Sequence, residues 1–186
     1  TTLRARLGWD DYRFGGDYPY DVAEAGDPLD RVVQHDVAHG RWWSGELQLA
    51  GSHGAHRLVA GADFRHATTA EQTSRLVETD ETLLSTSSPY DNASVYLQDE
   101  WALAAGASLY AGLRYDHYRS FGDNLTPRCG LITHPNARTT AKLLYGGAFR
   151  APNVYELFYG DGVSQKANPD LGPEQVRTWE VVVERE

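Results

Sequence analysis

The chain has 186 residues, 41% of them hydrophobic, and carries 17 Lys and Arg against 26 Asp and Glu, for a net charge of −9. That length suits one domain or part of a larger one, the acidic balance argues against a nucleic-acid partner, and no run approaches the roughly 18 apolar residues of a transmembrane helix. One cysteine, Cys129, excludes an internal disulfide and a cysteine metal cluster.

From the first residues onward the dominant pattern is period-2 alternation, as expected of strands with two unlike faces. Leu3, Ala5, Leu7 and Trp9 alternate with Arg4, Arg6, Gly8 and Asp10. Trp43, Gly45, Leu47 and Leu49 alternate with Ser44, Glu46 and Gln48; Leu58, Ala60, Ala62 and Phe64 alternate with Arg57, Asp63 and Arg65. Val95, Leu97, Trp101 and Leu103 share a face that Asp99 interrupts, opposite Ser94, Tyr96, Gln98 and Glu100. Leu109, Ala111, Leu113 and Tyr115 oppose Ser108, Tyr110, Arg114 and Asp116. A weaker run over 125–134 carries Pro127. Ala141, Leu143, Tyr145 and Phe149 oppose Lys142, Leu144 and Arg150; Trp179, Val181 and Val183 oppose Glu180, Val182 and Glu184. These make about eight strands of about ten residues each, long enough to cross a bilayer when tilted.

Alternation alone leaves open whether the apolar faces point into a soluble core or out into lipid. The connections separate the two. Short ones fall at 51–55, 104–107 and 135–138, long ones at 13–40, 67–92 and 151–173, with a shorter member of the second set at 119–124. Short turns at one end and long loops at the other describe an outer-membrane barrel, whose turns are periplasmic and whose loops are extracellular. A compact soluble domain rarely carries several structureless loops of that length. Trp9, Tyr12, Trp42, Trp43, Tyr115 and Tyr118 near strand ends fit interfacial girdles. The expected fold is therefore all-β, an antiparallel up-and-down transmembrane β-barrel of which this chain is a part. On that alternation Leu113→Arg costs about 2–4 kcal/mol near midplane, and Arg114→Leu costs the fold less.

The C-terminal third carries a family likeness. Phe149, Arg150, Ala151 and Pro152 close a strand; Tyr155, Glu156 and Tyr159 follow; then come Asn168, Pro169, Asp170 and Leu171, then Pro173 and Glu174, then a strand bearing Glu180. Upstream stand Val95-Tyr-Leu-Gln-Asp-Glu-Trp101, Gly112-Leu-Arg-Tyr-Asp116 and Pro127-Arg128. In this order the motifs resemble the barrel of TonB-dependent receptors, over roughly 93–186 by motif and over 1–92 by strand pattern only. The resemblance implies a barrel of about 22 strands with an N-terminal plug and a TonB box. It implies import of an iron–siderophore or similar scarce nutrient, and as partners outer-membrane lipid, a small-molecule ligand and the TonB complex, reached through the plug and box. Neither plug nor box is visible in the sequence. The chain starts at Thr1, contains no methionine and shows no signal peptide, and 181–186 reads as a strand in progress. Residues 1–186 are therefore expected to be an excised part of one barrel domain. No cofactor is expected.

Two readings of the motif stand side by side: anchoring structure for a long loop, or part of the ligand entrance. Pro152 lacks an N–H and ends ladder pairing, and Asn168-Pro169 starts a turn. Tyr155 and Tyr159 are candidates to contact iron or an aromatic siderophore. The family's haem receptors place a histidine in this interval, and there is none between Arg150 and Asn168. Gln98, Glu100, Arg114, Asp116, Lys142 and Glu180 are expected to face the lumen, together with Arg4, Arg6, Glu46, Arg57, Arg65, Arg150 and Glu184. A lumen of mixed sign suits water or a polar plug.

His35 and His39 have helical metal-pair spacing but sit in a loop-like stretch, so no metal site is expected. Asp116 with His117, and Asp63 with His66, supply residue types found in outer-membrane hydrolases, yet no nucleophile motif accompanies them. A small ligand-binding barrel, soluble or in the outer membrane, and a barrel enzyme remain the alternatives to an importer.

Overall fold

The computed structural model describes residues 1–22, 30–160 and 165–186. Among these, nine strands form one antiparallel sheet: β1 (Thr2–Val22), β2 (Asp30–His53), β3 (His56–Leu76), β4 (Thr82–Ser87), β5 (Asp91–Ala104), β6 (Ala107–Tyr118), β7 (Gly122–Asn136), β8 (Thr139–Arg150) and β9 (Glu174–Arg185). One helical turn, α1 (Val154–Phe158), lies between β8 and β9. The sheet runs β1-β2-β3-β5-β6-β7-β8-β9, each strand beside its neighbour in sequence, with β4 added to the upper part of β3.

Two-residue turns at 54–55, 105–106 and 137–138 join β2 to β3, β5 to β6 and β7 to β8, all at one end. Gly54 and Gly106 supply positive φ there, 58° and 83°, as tight hairpins require. In the third turn the Asn136 side chain accepts from the Arg138 N–H at 3.0 Å. These coincide with the short connections expected from the sequence.

The other end differs from the sequence expectation. Residues 13–40 and 67–92 are not mainly loop. β1, β2 and β3 have 21, 24 and 21 residues, about twice what a bilayer crossing needs. β1 and β2 stay paired from Thr2↔Ala50 to Val22↔Asp30. Residues 23–29 and 161–164 of the expected loops lie outside the described residues. Gly15, Gly16, Pro19 and several aspartates gave 13–22 the composition of a turn, but the alternation of Tyr12, Phe14, Tyr18 and Tyr20 continues through them. β1 pairs only with β2 among the described residues, so Pro19 takes no hydrogen-bonding place from a central strand.

The register sorts side chains onto two faces. Leu47, Ala62, Val95 and Tyr115 are cross-strand partners in one row, Leu97 and Leu113 in the next. On this convex face Leu3, Trp179 and Val181 are 65–74% exposed. Buried apolar residues are few: Ala67, Ala70, Leu157 and Tyr159. Apolar side chains out and polar side chains in is the arrangement of a membrane barrel and the reverse of a soluble one.

A bulge resets one strand. Trp42 pairs with Ala67 and Arg41 with Thr69, so Thr68 is an extra residue on β3. Below it the even-numbered residues of β3 face outward; above it Ala70, Gln72 and Ser74 turn to the concave face.

Candidate ligand entrance at the long-strand end

At the long-strand end the concave face and the 151–160 segment enclose a cavity of about 1540 Å³. β1 contributes a stripe of aromatics, Tyr12, Phe14, Tyr18 and Tyr20. Opposite them α1 brings Tyr155 and Tyr159, whose rings stack at 4.4 Å. Cations stand among the rings. Arg65 lies over Trp42 at 5.4 Å, and both line the cavity.

Arg150 anchors the segment. Its guanidinium donates to Glu174 at 3.1 and 2.7 Å and to Glu156 at 2.8 Å, tying together the end of β8, the first turn of α1 and the start of β9. Glu156 also accepts from the Asn153 N–H at 2.9 Å, while its own N–H donates to the Asn153 side chain at 2.9 Å, a closed capping box. The Arg150 guanidinium, then the Asn153 N–H, hold the Glu156 carboxyl below the usual range. The β7–β8 ladder stops at Arg128↔Gly146, next to Pro127, which has no N–H to offer. Phe149 then meets Tyr118 edge-on at 5.8 Å and Phe121 at 6.5 Å.

The far end of α1 is fixed across the cavity. Tyr159 is 6% exposed, and its hydroxyl accepts from the Gln34 amide of β2 at 2.6 Å. Ser74 Oγ of β3 and an Asp36 carboxylate oxygen at 2.9 Å lie within hydrogen-bonding reach of the same Gln34 nitrogen, whose two hydrogens are shared among the three oxygens. Ser74 of β3 is fully buried, and so is Leu157 of α1. Burial pushes the Tyr159 phenol up, so its hydroxyl stays protonated. The segment thus bridges β8 and the β2–β3 extension, through Gln34 and Tyr159, which are 125 residues apart along the chain.

The motif residues divide. Ala151, Pro152, Tyr155 and Tyr159 line the cavity. Phe149, Arg150, Glu156 and Glu174 instead hold the segment in place, and Arg150 does not line the cavity although alternation alone pointed it inward. Asn168, Pro169 and Asp170 are exposed in a turn closed by the Leu171 N–H on the Asn168 carbonyl at 3.1 Å; Pro173 leads from it into β9.

Lower on the concave face Arg114 is the hub. It grips Asp63 with two bonds at 2.8 and 3.1 Å, Asp116 at 2.9 and 3.2 Å, and the Ser94 hydroxyl at 2.6 Å. Asp116 is only 1% exposed. Gln98 accepts from Tyr110 at 3.1 Å, and Lys142 meets Glu184 at 2.9 Å. Glu100 sits between Arg57 and Tyr110 in the register, and Glu180 is exposed opposite Leu144. All six residues expected in the lumen share this face by register.

His66 and His117 follow the other face. His66 pairs with Asp91 and His117 with Asp123 at 2.6 Å, whereas Asp63 and Asp116 point to the opposite side of the sheet. Neither Asp–His combination suggested by sequence adjacency is brought together. His35 pairs with Asp17; His39 lies 3.4 Å from Asp11 and 3.9 Å from Glu71. Sequence reading missed Phe14, Tyr18, Tyr20, Gln34 and Ser74, because all lie in stretches taken as loop, and gave Tyr12 to an interfacial girdle rather than to the cavity. The period-2 spacing of Tyr12, Phe14, Tyr18 and Tyr20 was the available signal.

Comparison with known proteins places this architecture. A family described as TonB dependent receptor-like, beta-barrel matches residues 1–184. The iron-regulated outer membrane virulence protein of Vibrio cholerae is 29% identical over 126 residues, covering 65% of this chain and 19% of that protein. The ferric enterobactin receptor of Pseudomonas aeruginosa is 38% identical over 64 residues, covering 34% of this chain and 9% of the receptor. A solved structure of that receptor superposes on 99% of this chain and 30% of its own, with a TM-score of 0.66 at 22% identity. The copper transporter OprC does so over 99% and 33%, with a TM-score of 0.70 at 16% identity. The chain thus spans a fraction of each relative, and these relatives are receptors and transporters of the bacterial surface. With inside-out faces, tight turns at one end, long strands at the other and a family match over nearly its whole length, the chain belongs to the TonB-dependent receptor β-barrel family.

Proposed function

We propose that the chain forms wall and outer mouth of an outer-membrane importer for an iron–siderophore or similar scarce nutrient, and that it is not an enzyme. The carrying observation is the cavity of about 1540 Å³ at the long-strand end, with tyrosines on both sides and guanidinium groups between them. Flat aromatic rings and cations together suit an anionic ligand with aromatic groups, through stacking and charge–π contact. Phe149, Arg150, Glu156 and Glu174 shape the entrance by holding α1; Tyr155 and Tyr159 face it. The Pseudomonas relative is by name a receptor for such a ligand, ferric enterobactin.

In this reading 1–186 is part of one barrel domain, the convex face meets outer-membrane lipid, and Gln98, Glu100, Arg114, Asp116, Lys142 and Glu180 line the lumen. The whole protein carries a plug on which the TonB complex pulls. Asp116 and His117 lie on opposite faces, so the pairing on which the hydrolase alternative drew is not formed.

The test is ligand binding by the whole receptor in detergent, with ferric enterobactin as probe and quenching of aromatic fluorescence as readout. Tyr155→Ala combined with Tyr12→Ala is expected to weaken binding about tenfold or more, two stacking contacts at roughly 0.5–1.5 kcal/mol each plus lost area. Unchanged affinity would remove the cavity from the account.

A further inference from the structure

One corner of the mouth is rich in acceptors. Asp36 and Ala38 of β2 both line the cavity; their cross-strand partners are Gly16 and Phe14 on β1, and Ser74 and Gln72 on β3. Ala38 and Gly16 are small, so the floor of this corner is low. The Tyr18 ring leans over Gly16, where a Cβ would stand 3.0 Å from the phenol oxygen. Phe14 lies one row below, and Tyr155 of α1 lines the cavity from the other side.

Two oxygens in this corner lack donors. The Gln72 side-chain oxygen is buried with no hydrogen-bond partner. Asp36 has one oxygen 2.9 Å from the Gln34 nitrogen, whose two hydrogens also serve Ser74 and Tyr159; its other oxygen has no donor among the described residues. Nor does any cation pair with Asp36 among the described residues, whereas Arg114 holds Asp63 and His35 holds Asp17. A buried acceptor left unmet is unfavourable, and an incoming donor relieves it. Carboxylate and amide oxygens beside aromatic faces suit an organic ammonium, which gives N–H bonds to the oxygens and lays its charge against the rings.

We infer that Asp36 and Gln72 form a subsite for an organic ammonium group of the imported chelate, with Phe14, Tyr18 and Tyr155 against its alkyl arm. The inference rests on the reading that this cavity admits an iron chelate, and adds the chemistry of the ligand's second end. Lower in the cavity Arg65 over Trp42 suits an anionic aromatic part. Trp42 and Asp36 lie on one face of β2, about 20 Å apart along the strand. The ligand class is therefore a zwitterion of that reach, with anionic chelating rings at one end and a primary amine at the other.

The experiment is a fluorescence-quenching titration of the whole receptor in detergent with two probes. One is a ferric tris-catecholate bearing a primary alkylamine on a flexible linker; the other is the same compound with that amine acetylated, which removes the positive charge and keeps the chelate. The unaltered receptor is expected to bind the amine about tenfold more tightly, the value of one charge-assisted hydrogen bond. Asp36→Asn, nearly the same in shape, is expected to bring the two affinities within about twofold of each other; a preference that came from the bulk of the acetyl group would survive it. Gln72→Leu is expected to narrow the preference about threefold. It repeats the test should Asp36→Asn fail to fold, with heat-modifiable gel mobility reporting the folded barrel. Equal affinities in the unaltered receptor, or a preference unmoved in whichever variant folds, overturns the subsite while binding of the probes upholds the importer reading. Binding of neither probe, nor of ferric enterobactin, overturns the importer reading and the subsite with it.

Discussion

Arg114 satisfies five acceptor contacts on three side chains, so Arg114→Leu strands Asp63 and the nearly inaccessible Asp116 without a counter-charge. Breaking a fully buried pair costs roughly 3–5 kcal/mol. Arg114 keeps about a third of its side chain in contact with solvent, which discounts the figure to about 2–4 kcal/mol. Alternation alone ranked this substitution as milder than Leu113→Arg at about 2–4 kcal/mol; the network makes them comparable. Equilibrium urea unfolding of the whole receptor in vesicles compares the two. The sequence placed Arg114 on the polar face but held no sign of Asp63 as its partner, since the two are 51 residues apart and meet only through the register of β3, β5 and β6.

Glu156 gives the entrance a pH dependence. Its folded carboxyl is held below the ordinary value of 4.5, first by Arg150 and then by the Asn153 N–H. A depressed folded value means that the anchoring is complete above the unfolded value and is lost as pH falls through the folded one. Hydrogen exchange over 151–160 is therefore expected to stay flat from neutral pH down to about 5, then to rise with further acidification after correction for intrinsic rates. Glu156→Gln is expected to remove that rise and to raise exchange at neutral pH. An acid-insensitive segment in the unaltered protein would contradict the role given to Arg150.

At the scale of elements, what holds the mouth is a connection between distant strands. Thr68, extra in β3, turns Ser74 inward where it joins Gln34, and Gln34 receives Tyr159 from the far side of the sheet. Gln34→Leu leaves the buried Tyr159 and Ser74 hydroxyls with one partner fewer each, worth about 1–3 kcal/mol. Amide exchange of α1 is expected to speed accordingly while β5 to β8 stay as protected as before. Equal protection in α1 would show that Leu157 packing alone seats the segment. The sequence carried the tight turns plainly, through Gly54 and Gly106 in two-residue links. It carried the length of β1 to β3 poorly, because Gly, Pro and Asp read as turn formers wherever pairing is not known. A strand extending past the membrane loses its apolar outer face: Asp11, Arg13, Asp17, His35, His39 and Arg41 replace the leucines, and the hydrophobic half of the alternation vanishes. The bulge at Thr68 has no composition mark at all.

For the whole molecule, the face assignment follows from burial. Along the lower rows leucines, valines and tryptophans such as Leu3, Leu97, Trp179 and Val181 lie on the convex side, and Arg114 and Lys142 find acidic partners on the concave side. This was legible early, since alternation combined with unequal connection lengths already selected a membrane barrel. The ligand was not, because the cavity brings β1, β2 and β3 against the 151–160 segment, far from them along the chain. The edges β1 and β9 each pair on one side among the described residues, and the chain covers 30% of the solved ferric enterobactin receptor. In the proposed importer further strands of the same barrel flank both edges, which removes two long templates for aggregation.

Import is the central claim, and uptake of radioactive iron tests it most directly. The whole receptor would be the sole siderophore receptor of a Gram-negative cell supplied with ferric enterobactin, a ferric hydroxamate and ferric citrate in turn. Uptake of at least one is expected, with a preference for the aromatic catecholate, falling to background when the proton gradient is collapsed and weakened by Tyr155→Ala. Uptake of none, or uptake indifferent to the gradient, would contradict it.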